Sequence, residues 1–278
     1  MMDATGVFFS KWRALALLSL LTLPQISLAQ ETLYAYGPGG PAPAMKEAAA
    51  AFEKNTGVKI EITAGPTAKW LGDAKNNADM VFGGSESMMT DFVDAMPEQL
   101  HDRQVTPLYL RPLAILVRPG NPRHIKGIKD LLNPGLNILV VNGAGQTGAW
   151  EDMAGRQGDI KTVIAIRKNI VRYAKNSAEA KQIWAEHKDI DAWLIWNIWQ
   201  VAYPELADMV PIDREYAIYR DSEIALTGRG KDKPAAQAYI RFLQSSAGAE
   251  IFAKWGWKVN KTSSESLPNP AKRPAKPE

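Results

Sequence analysis

The sequence contains no cysteine among its 278 residues. This absence excludes disulfide bonds, thiol-based catalysis, iron–sulfur clusters and thiolate zinc sites. Histidine is almost as scarce, with only His101, His124 and His187. These three are dispersed along the chain without a metal-ligand spacing, so we expect each of them to lie on the surface. We therefore predict no metal site and no cofactor.

The sequence also lacks an apolar run long enough to span a membrane. The run from Ala14 to Leu23 is about ten residues, whereas a helix needs roughly 20 to cross a bilayer. Lys11 and Arg13 precede this run, and Ser27-Leu28-Ala29 supplies small residues after it. This order is typical of a cleaved signal peptide, which we predict over residues 1–29. The protein is then exported, and we expect it in the periplasm.

A charge excess of either sign is missing from the body of the chain. Of the 33 basic and 30 acidic residues, two basic and one acidic lie before residue 30, and four basic and two acidic lie from Lys261 onward. This leaves 27 of each sign in between. Proteins that bind a nucleic-acid duplex usually present a basic stripe on a folded face. We therefore expect no nucleic-acid partner.

From residue 31 the chain alternates short apolar runs with helical segments. Strands are predicted at 33–36, 58–62 and 79–82, each followed by a turn and a helix. Such repeated units predict an α/β fold with a parallel sheet and helices on both faces. Residues 164–167 fit a loop or a helix. The end of the chain, 263–278, is rich in Ser, Pro and Lys and is predicted to be disordered.

Glycine-rich turns follow three of the predicted strands, at Gly37–Gly40, Gly83–Ser85 and Asn142–Gln146. Ligands of open α/β sheets bind at the carboxyl ends of the strands, where such turns direct N–H groups and positive helix ends at one crevice. Loop geometry alone explains any single turn, because glycine is common there. Together they predict a site for a small anion, with polar side chains at Ser85, Asn142, Gln146 and Thr147.

Two arginines flank the strands that would connect the halves of such a fold. An arginine fork binds a carboxylate or an oxyanion through two parallel hydrogen bonds. Arg111 lies in an apolar stretch and is predicted to contact the ligand. For Arg220, a ligand contact and an interdomain salt bridge fit equally well. Trp196 and Asn197 fall where another predicted strand opens on the crevice, whereas core packing explains Trp193.

Catalytic motifs are not supported. The run Gly143–Gly148 has the Gly-x-Gly-x-x-Gly spacing, but no acidic residue about 20 positions later ends a clear next strand. It also lacks the Gly-Lys-Ser/Thr of a phosphate-binding loop. Ser85 has neither a Gly-x-Ser-x-Gly context nor a positioned histidine. The sequence therefore predicts binding without catalysis.

Several long runs resemble the accessory colonization factor C family. The resemblance covers nearly all of residues 31–228 and is carried by Tyr36–Met45, Ser85–Phe92, Val141–Gln146, Trp150–Arg156 and Ala192–Gln200. That family looks like the type II periplasmic binding proteins, more distantly related to the molybdate- and sulfate-binding components of ABC importers. The resemblance implies two α/β lobes with mostly parallel sheets, two crossover hinge strands and a central ligand cleft.

In molybdate-type proteins, loop hydroxyl and N–H groups hold the oxyanion. By position the resemblance assigns this role to Gly39-Gly40, Gly84-Ser85, Gln146-Thr147 and Trp196-Asn197. The first of these turns has Gly and Pro where the molybdate-type proteins have Ser, and Gly83 stands where close relatives are expected to have Ser. Arg111 suits sulfate, a carboxylate or an acidic amino acid instead.

We therefore predict one lobe from residues 30–112 and 221–262 and the other from 113–220. The expected protein is a monomeric solute-binding protein that captures a small anion for an ABC permease or a chemoreceptor. One alternative is an exported colonisation or adhesion factor that acts through its surface, which an exposed apolar patch outside the cleft would reveal. Another is an enzyme on the same scaffold, which turnover of a bound ligand would reveal.

Overall fold

The computed structural model describes residues 31–101 and 104–259. The predicted signal peptide and the predicted disordered tail lie outside these ranges. Within them, no helix is both long and apolar enough to cross a bilayer.

The described chain alternates strands and helices from its start. The first part contains β1 (Thr32–Gly37), α1 (Ala42–Thr56), β2 (Lys59–Ala64), α2 (Leu71–Asn77), β3 (Met80–Phe82), α3 (Glu86–Ala95) and β4 (Val105–Val117). The middle part contains β5 (Ile138–Val141), α4 (Ala149–Ala154), α5 (Ile160–Asn169), β6 (Ile170–Ala174), α6 (Ser177–Glu186), β7 (Ala192–Trp196), α7 (Ile198–Ala202) and β8 (Asp208–Pro211). The last part contains β9 (Tyr219–Leu226), α8 (Pro234–Leu243) and α9 (Ser246–Lys254).

The strands form a curled sheet in the order β2-β1-β3-β9-β4-β7-β5-β6, with β8 paired to β4. Outer strands pair in parallel, as β1 does with β2 and β3, and as β5 does with β6 and β7. The long strands β4 and β9 pair antiparallel with each other and with their neighbours. The sheets that we expected to be mostly parallel are therefore antiparallel around the two crossover strands.

Strand β4 joins the two halves. Over residues 105–112 it pairs with β9, and from Leu113 onward it pairs with β7 and β8. We call the half that contains β1, β2 and β3 the first lobe, and the half that contains β5, β6 and β7 the second lobe. This is the two-lobed fold with crossover strands implied by the resemblance, although the exact lobe boundaries stay a prediction.

Local sequence explains where the helices begin. Helix α1 has Pro41 at its N-cap and an alanine-rich interior, and Gly57, which has a φ of 76°, caps its C-terminal end. Ser85 caps α3 by accepting a hydrogen bond from the Met88 amide, and Asn176 caps α6 by accepting from the amides of Ala178 and Glu179. These caps fix the helix starts that face the space between the lobes.

The central strands are buried on both faces. Every residue of β5 and of β7 is buried, as continuous apolar runs flanked by helices require. The largest fully buried side chains include Trp184 and Trp193, so the core-packing interpretation of Trp193 is confirmed. A smaller apolar cluster around Trp70 and Phe92 packs α2 and α3 against β1.

Several sequence-based expectations differ from the structure in detail. Residues 164–167 belong to α5, which Asp159 caps. Helix α4 is short and ends at Ala154, where Gly155 follows it. We did not predict α7 or β8. Strand β8 is only four residues long and ends at Pro211, and this composition is found at sheet edges rather than in central strands.

Candidate functional site

A cavity lies between the lobes, where turns after the strands of both halves meet. It encloses about 560 Å³ of space between protein atoms, part of which is open to solvent. The first lobe contributes Pro38–Pro41, Gly65–Thr67, Gly84, Met88 and Arg111. The second lobe contributes Ala144, Gln146, Asn176–Ala178, Trp196 and Trp199. The cavity is therefore at the strand ends where ligands of α/β proteins bind.

Backbone donors and helix starts line this cavity. Gly39 and Gly40 precede α1, and residues 176–178 form the start of α6. Within residues 31–101 and 104–259, the amides of Gly39, Gly40 and Thr67 donate to no protein acceptor. Free N–H groups and the positive ends of two helices are features that bind anions. Gln146 connects the turn after β5 to the start of α6, because its Nε2 donates to the Ser177 hydroxyl at 2.7 Å.

Arg111 is the only charged residue among the described residues that line the cavity. Its side chain is buried, with Nη1 donating to the Asp221 carbonyl at 3.2 Å and Nη2 donating to the Gly84 carbonyl. Its Nε is buried and has no partner among the described residues. Burial lowers the pKa of Arg111 to about 9, which still leaves the guanidinium charged at neutral pH.

Two aromatic rings lie close to this guanidinium. Its central carbon lies 4.8 Å from the ring centroid of Trp196 and 4.8 Å from that of Trp257. Trp196 ends β7 in the second lobe, whereas Trp257 follows α9. A cation over an indole ring is stabilised electrostatically, the more so when it is removed from water. The two rings and the two backbone carbonyls therefore restrain the position of Arg111.

Glu223 on β9 is a buried acid that the sequence analysis missed. It is fully buried, and neither carboxyl oxygen has a hydrogen-bond partner among the described residues. Burial, with a smaller contribution from Asp221, raises the pKa of Glu223 to about 9, so the group is protonated at neutral pH. Its sequence signal is a single acid in the run from Ser222 to Leu226. It does not line the cavity.

Glu223 also lies close to Gly83, the position where the resemblance leads us to expect serine. A Cβ atom at Gly83 would lie 2.7 Å from the Glu223 Oε2 and 2.6 Å from the Met89 sulfur. Such distances are too short for unstrained packing, so a side chain at this position would displace Glu223 or Met89.

The structure brings together about half of the residues predicted for the site. Gly39, Gly40, Gly84, Arg111, Gln146 and Trp196 line the cavity. Asn142 and Thr147 are exposed and do not line it. Asn197 is buried beside it, with Nδ2 donating to the Gly256 carbonyl at 2.7 Å and Oδ1 without a partner among the described residues.

Ser85 and Arg220 have other contacts. The Ser85 hydroxyl lies 3.1 Å from the Ser87 hydroxyl and packs against Gly145 of the second lobe. Arg220 forms an ion pair of 2.6 Å with Asp152 and borders a separate surface groove. Of the two interpretations that the sequence left open for Arg220, the observed contact is the salt bridge.

The cavity includes residues that the sequence analysis did not select. They are Pro66, Thr67, Met88, Asn176, Ser177 and Trp199. The helix-capping pattern of Asn176 and Ser177, with Glu179 three residues after the cap, was the available signal for two of them. No group of three or more His, Cys, Asp or Glu suited to a metal ion occurs within the described ranges.

Comparison with known proteins gives a family match over most of the chain. The model of the family described as bacterial extracellular solute-binding protein matches residues 33–258. The sulfate-binding protein of Salmonella typhimurium is 27% identical over 168 residues, which are 52% of this chain and 50% of that protein. The chain thus aligns with about half the length of this relative.

The chain is also similar to solved structures of binding proteins over most of its length. PEB3 from Campylobacter jejuni is 36% identical, and the alignment covers 82% of this chain and 100% of that chain with a TM-score of 0.76. PEB3 with L-phospholactate bound gives the same identity and coverage with a TM-score of 0.77. The sulfate-binding protein SubI from Mycobacterium tuberculosis is 16% identical, covers 84% of this chain and 88% of that one, and has a TM-score of 0.69, which shows a common fold.

Proposed function

This chain belongs to the bacterial extracellular solute-binding proteins, and from that premise we propose that it captures a small oxyanion, either free or as an organic phosphate, between its lobes. The observation that carries the proposal is the interlobe cavity, in which free backbone amides and two helix starts surround a single buried cation, Arg111. Such a site neutralises a small anion mainly by hydrogen bonds rather than by salt bridges.

The relatives support this ligand class. PEB3 is known with L-phospholactate bound, and it shares 36% of its residues with this chain over its whole length. The Salmonella relative is a sulfate-binding protein. Phosphoryl and sulfate groups are both tetrahedral oxyanions, so one arrangement of N–H donors suits either. A carboxylate or an acidic amino acid would instead depend chiefly on Arg111.

The mechanism is binding with lobe closure. Ligand contacts from both lobes favour the closed arrangement, which a permease or a chemoreceptor in the membrane would then recognise. The protein acts in the periplasm as a monomer and releases its ligand chemically unchanged. Arg111 supplies the charge, and the turns around Gly39, Gly84 and Gln146 supply the hydrogen bonds.

A thermal-shift screen of protein purified without sulfate or phosphate tests the proposal. The panel contains sulfate, thiosulfate, molybdate, phosphate, phospholactate, aspartate, glutamate and citrate, with chloride at matched ionic strength as the control. A ligand at about 1,000 times its Kd should add roughly 4 kcal/mol to the free energy of unfolding. For a protein of this size the Tm should rise by roughly 10 °C.

Each result has a distinct meaning. A large rise in Tm with phospholactate or inorganic oxyanions supports the proposed ligand class. A rise only with amino acids or citrate would indicate that the site binds carboxylates instead. Recovery of altered ligand after incubation would contradict the binding-only mechanism. No shift with any anion would overturn the proposal and favour the surface-acting alternative, for which the exposed Ile160 and Ile164 of α5 are the first residues to mutate.

A further inference from the structure

A second groove lies beside the interlobe cavity. We call it the outer groove, and it shares Gly39, Ala178 and Trp199 with the lining of the inner cavity. The two spaces are therefore adjacent, and Trp199 lines both of them. A ligand with two anionic groups could place one group in each space.

The outer groove is lined by two lysines, one from each lobe. Lys46 lies on α1 of the first lobe and Lys181 lies on α6 of the second. No acidic residue lines the groove among the described residues, and neither lysine forms an ion pair within residues 31–101 and 104–259. Two cations without a matching anion thus face the same solvent-open space.

Two aromatic side chains, Trp199 and Tyr203, line the outer groove beside these lysines. Trp199 stacks on Tyr203 with 6.0 Å between ring centroids and 13° between ring planes. The Lys181 ammonium lies 4.1 Å from the centroid of the Tyr203 ring. A cation–π contact of this kind holds the ammonium near the groove while leaving its N–H donors free for another partner.

We propose that the outer groove is a second anion subsite, which binds a further negatively charged group of the ligand. The preferred ligand then carries two anionic groups: an oxyanion in the inner cavity and a carboxylate or second oxyanion between Lys46 and Lys181. A phosphorylated carboxylic acid has this chemistry. The inference rests on the proposed function, because it assumes that the inner cavity holds the first group.

The charge distribution supports this division of roles. Among the described residues that line the inner cavity, only Arg111 is a cation, and its guanidinium already donates to two backbone carbonyls and lies close to two indole rings. A second negative charge placed beside the first would repel it there. Lysine ammonium groups are compact point charges that bind a carboxylate or a phosphate from any direction. An anion between lysines of opposite lobes also favours the closed arrangement.

The test compares two probes that differ only in the second charge. Phospholactate carries a phosphoryl group and a carboxylate, and ethyl phosphate is the same molecule with hydrogen in place of the carboxylate. Isothermal titration calorimetry on the full chain gives the Kd of each probe for the wild type and for the double variant Lys46→Gln, Lys181→Gln. The readout is the ratio of the two Kd values, which a general loss of stability would leave unchanged.

A matched control removes the same charge elsewhere. Lys54→Gln with Lys188→Gln takes one exposed lysine from each lobe, and neither residue lines the inner cavity or the outer groove. We expect the groove variant to bind phospholactate at least tenfold more weakly than this control does. The Kd for ethyl phosphate should change by less than threefold, which corresponds to less than about 1 kcal/mol in binding free energy.

Two results would overturn the inference. In one, the groove variant keeps the wild-type preference for phospholactate over ethyl phosphate. In the other, both probes lose affinity by the same factor, which would mean that the two lysines do not act on the second anionic group. A wild-type protein that binds neither probe nor any other anion of the screen would defeat the proposed function itself. If the wild type binds these anions but the groove variant keeps the wild-type ratio of the two Kd values, the inference fails and the proposed function stands.

Discussion

The guanidinium of Arg111 lies over the indole of Trp257, with its central carbon 4.8 Å from the ring centroid. Trp257 is buried and packs edge-on against Phe252 of α9, with 5.7 Å between the ring centroids. The cation that faces the ligand cavity is therefore supported by a segment more than a hundred residues away in the sequence. Trp257 lies outside the cavity lining, so its effect on a ligand acts through Arg111.

Replacing Arg111 by lysine should weaken anion binding although the positive charge is kept. Lysine lacks the planar fork whose two nitrogens donate to the Asp221 and Gly84 carbonyls, and its ammonium stacks less well on the indole rings. We expect at least a tenfold increase in the Kd for phosphate or phospholactate by calorimetry. The free energy of unfolding should fall by roughly 1–3 kcal/mol, as for loss of hydrogen bonds to a charged group. Wild-type affinity in Arg111→Lys would remove Arg111 from the site.

Two substitutions at Trp257 should show whether its ring assists ligand binding through Arg111 or only packs in the core. Trp257→Phe keeps an aromatic face beneath the guanidinium, whereas Trp257→Leu removes it. We expect the leucine variant to bind phosphate several-fold more weakly than the phenylalanine variant when both are measured at a temperature where each is fully folded. Equal affinities of the two variants would show that the ring face does not matter for binding.

Gly145 should be required for lobe closure. Its φ is 75°, and a Cβ there would overlap the Ser85 hydroxyl and lie 3.2 Å from the Met88 Cβ of the other lobe. Gly148 has a φ of 76° with no neighbour within 4 Å of such a Cβ, which makes it a matched control. Both Gly→Ala changes carry the same backbone cost of about 1–2 kcal/mol. Only Gly145→Ala should also weaken ligand binding, by tenfold or more.

Calorimetry and small-angle X-ray scattering check this prediction together. With saturating ligand, the radius of gyration of Gly145→Ala should stay above that of the wild type, whereas Gly148→Ala should contract as the wild type does. Equal ligand affinities of the two alanine variants would mean that the contact between Ser85 and Gly145 is not part of the ligand-bound arrangement.

Local sequence patterns were sufficient for most of the fold. Short apolar runs followed by glycine-rich turns and amphipathic segments predicted the strand and helix order, because each pattern reports which faces of one element are buried. Strand β5 is an example, since Ile138–Val141 is wholly apolar and wholly buried. Strand β8 was not predictable, because Asp208–Pro211 is a strand only through its pairing with β4.

The site was predicted less completely because it depends on how the two lobes lie together. Gln146 reaches the cavity whereas its neighbour Thr147 is exposed, and no local pattern distinguishes these two polar residues. Asn176 and Ser177 join the site because β6 pairs with β5, which brings the turn after each strand to the same edge. Such contacts between distant segments cannot be derived from periodicity.

Glu223 should make stability fall as the pH rises. Burial raises the pKa of Glu223 to about 9, above the ordinary value of about 4.3 that applies to the unfolded chain. Between these values the folded state holds a proton that the unfolded state lacks, so the free energy of unfolding decreases with increasing pH, by at most about 1.4 kcal/mol per pH unit. Glu223→Gln should therefore gain stability relative to the wild type from about pH 5 to pH 9.

Urea unfolding at several pH values measures this difference. The advantage of Glu223→Gln over the wild type should be smallest near pH 4.5, grow toward pH 9 and then level off. The exposed Glu250→Gln serves as a control for the loss of one acidic side chain and should follow the wild type. Parallel curves for wild type and Glu223→Gln would contradict the raised pKa.

Asp79 should be among the most important polar residues for stability. Its carboxylate is fully buried, accepting from the Tyr34 amide at 3.0 Å and pairing with Arg229 at 3.0 Å and Lys233 at 2.7 Å. Asp79→Asn leaves both cations without their partner. Because the Arg229 side chain is half-exposed, we expect a loss of about 2–4 kcal/mol, somewhat below that for a fully buried pair, and a fall in Tm of roughly 5–15 °C. The exposed Asp94→Asn should unfold within about 0.5 kcal/mol of the wild type. An equal free energy of unfolding for Asp79→Asn and Asp94→Asn would contradict this prediction. It would mean that the ion pairs of Asp79 do not stabilise the contact between β3 and the turn before α8.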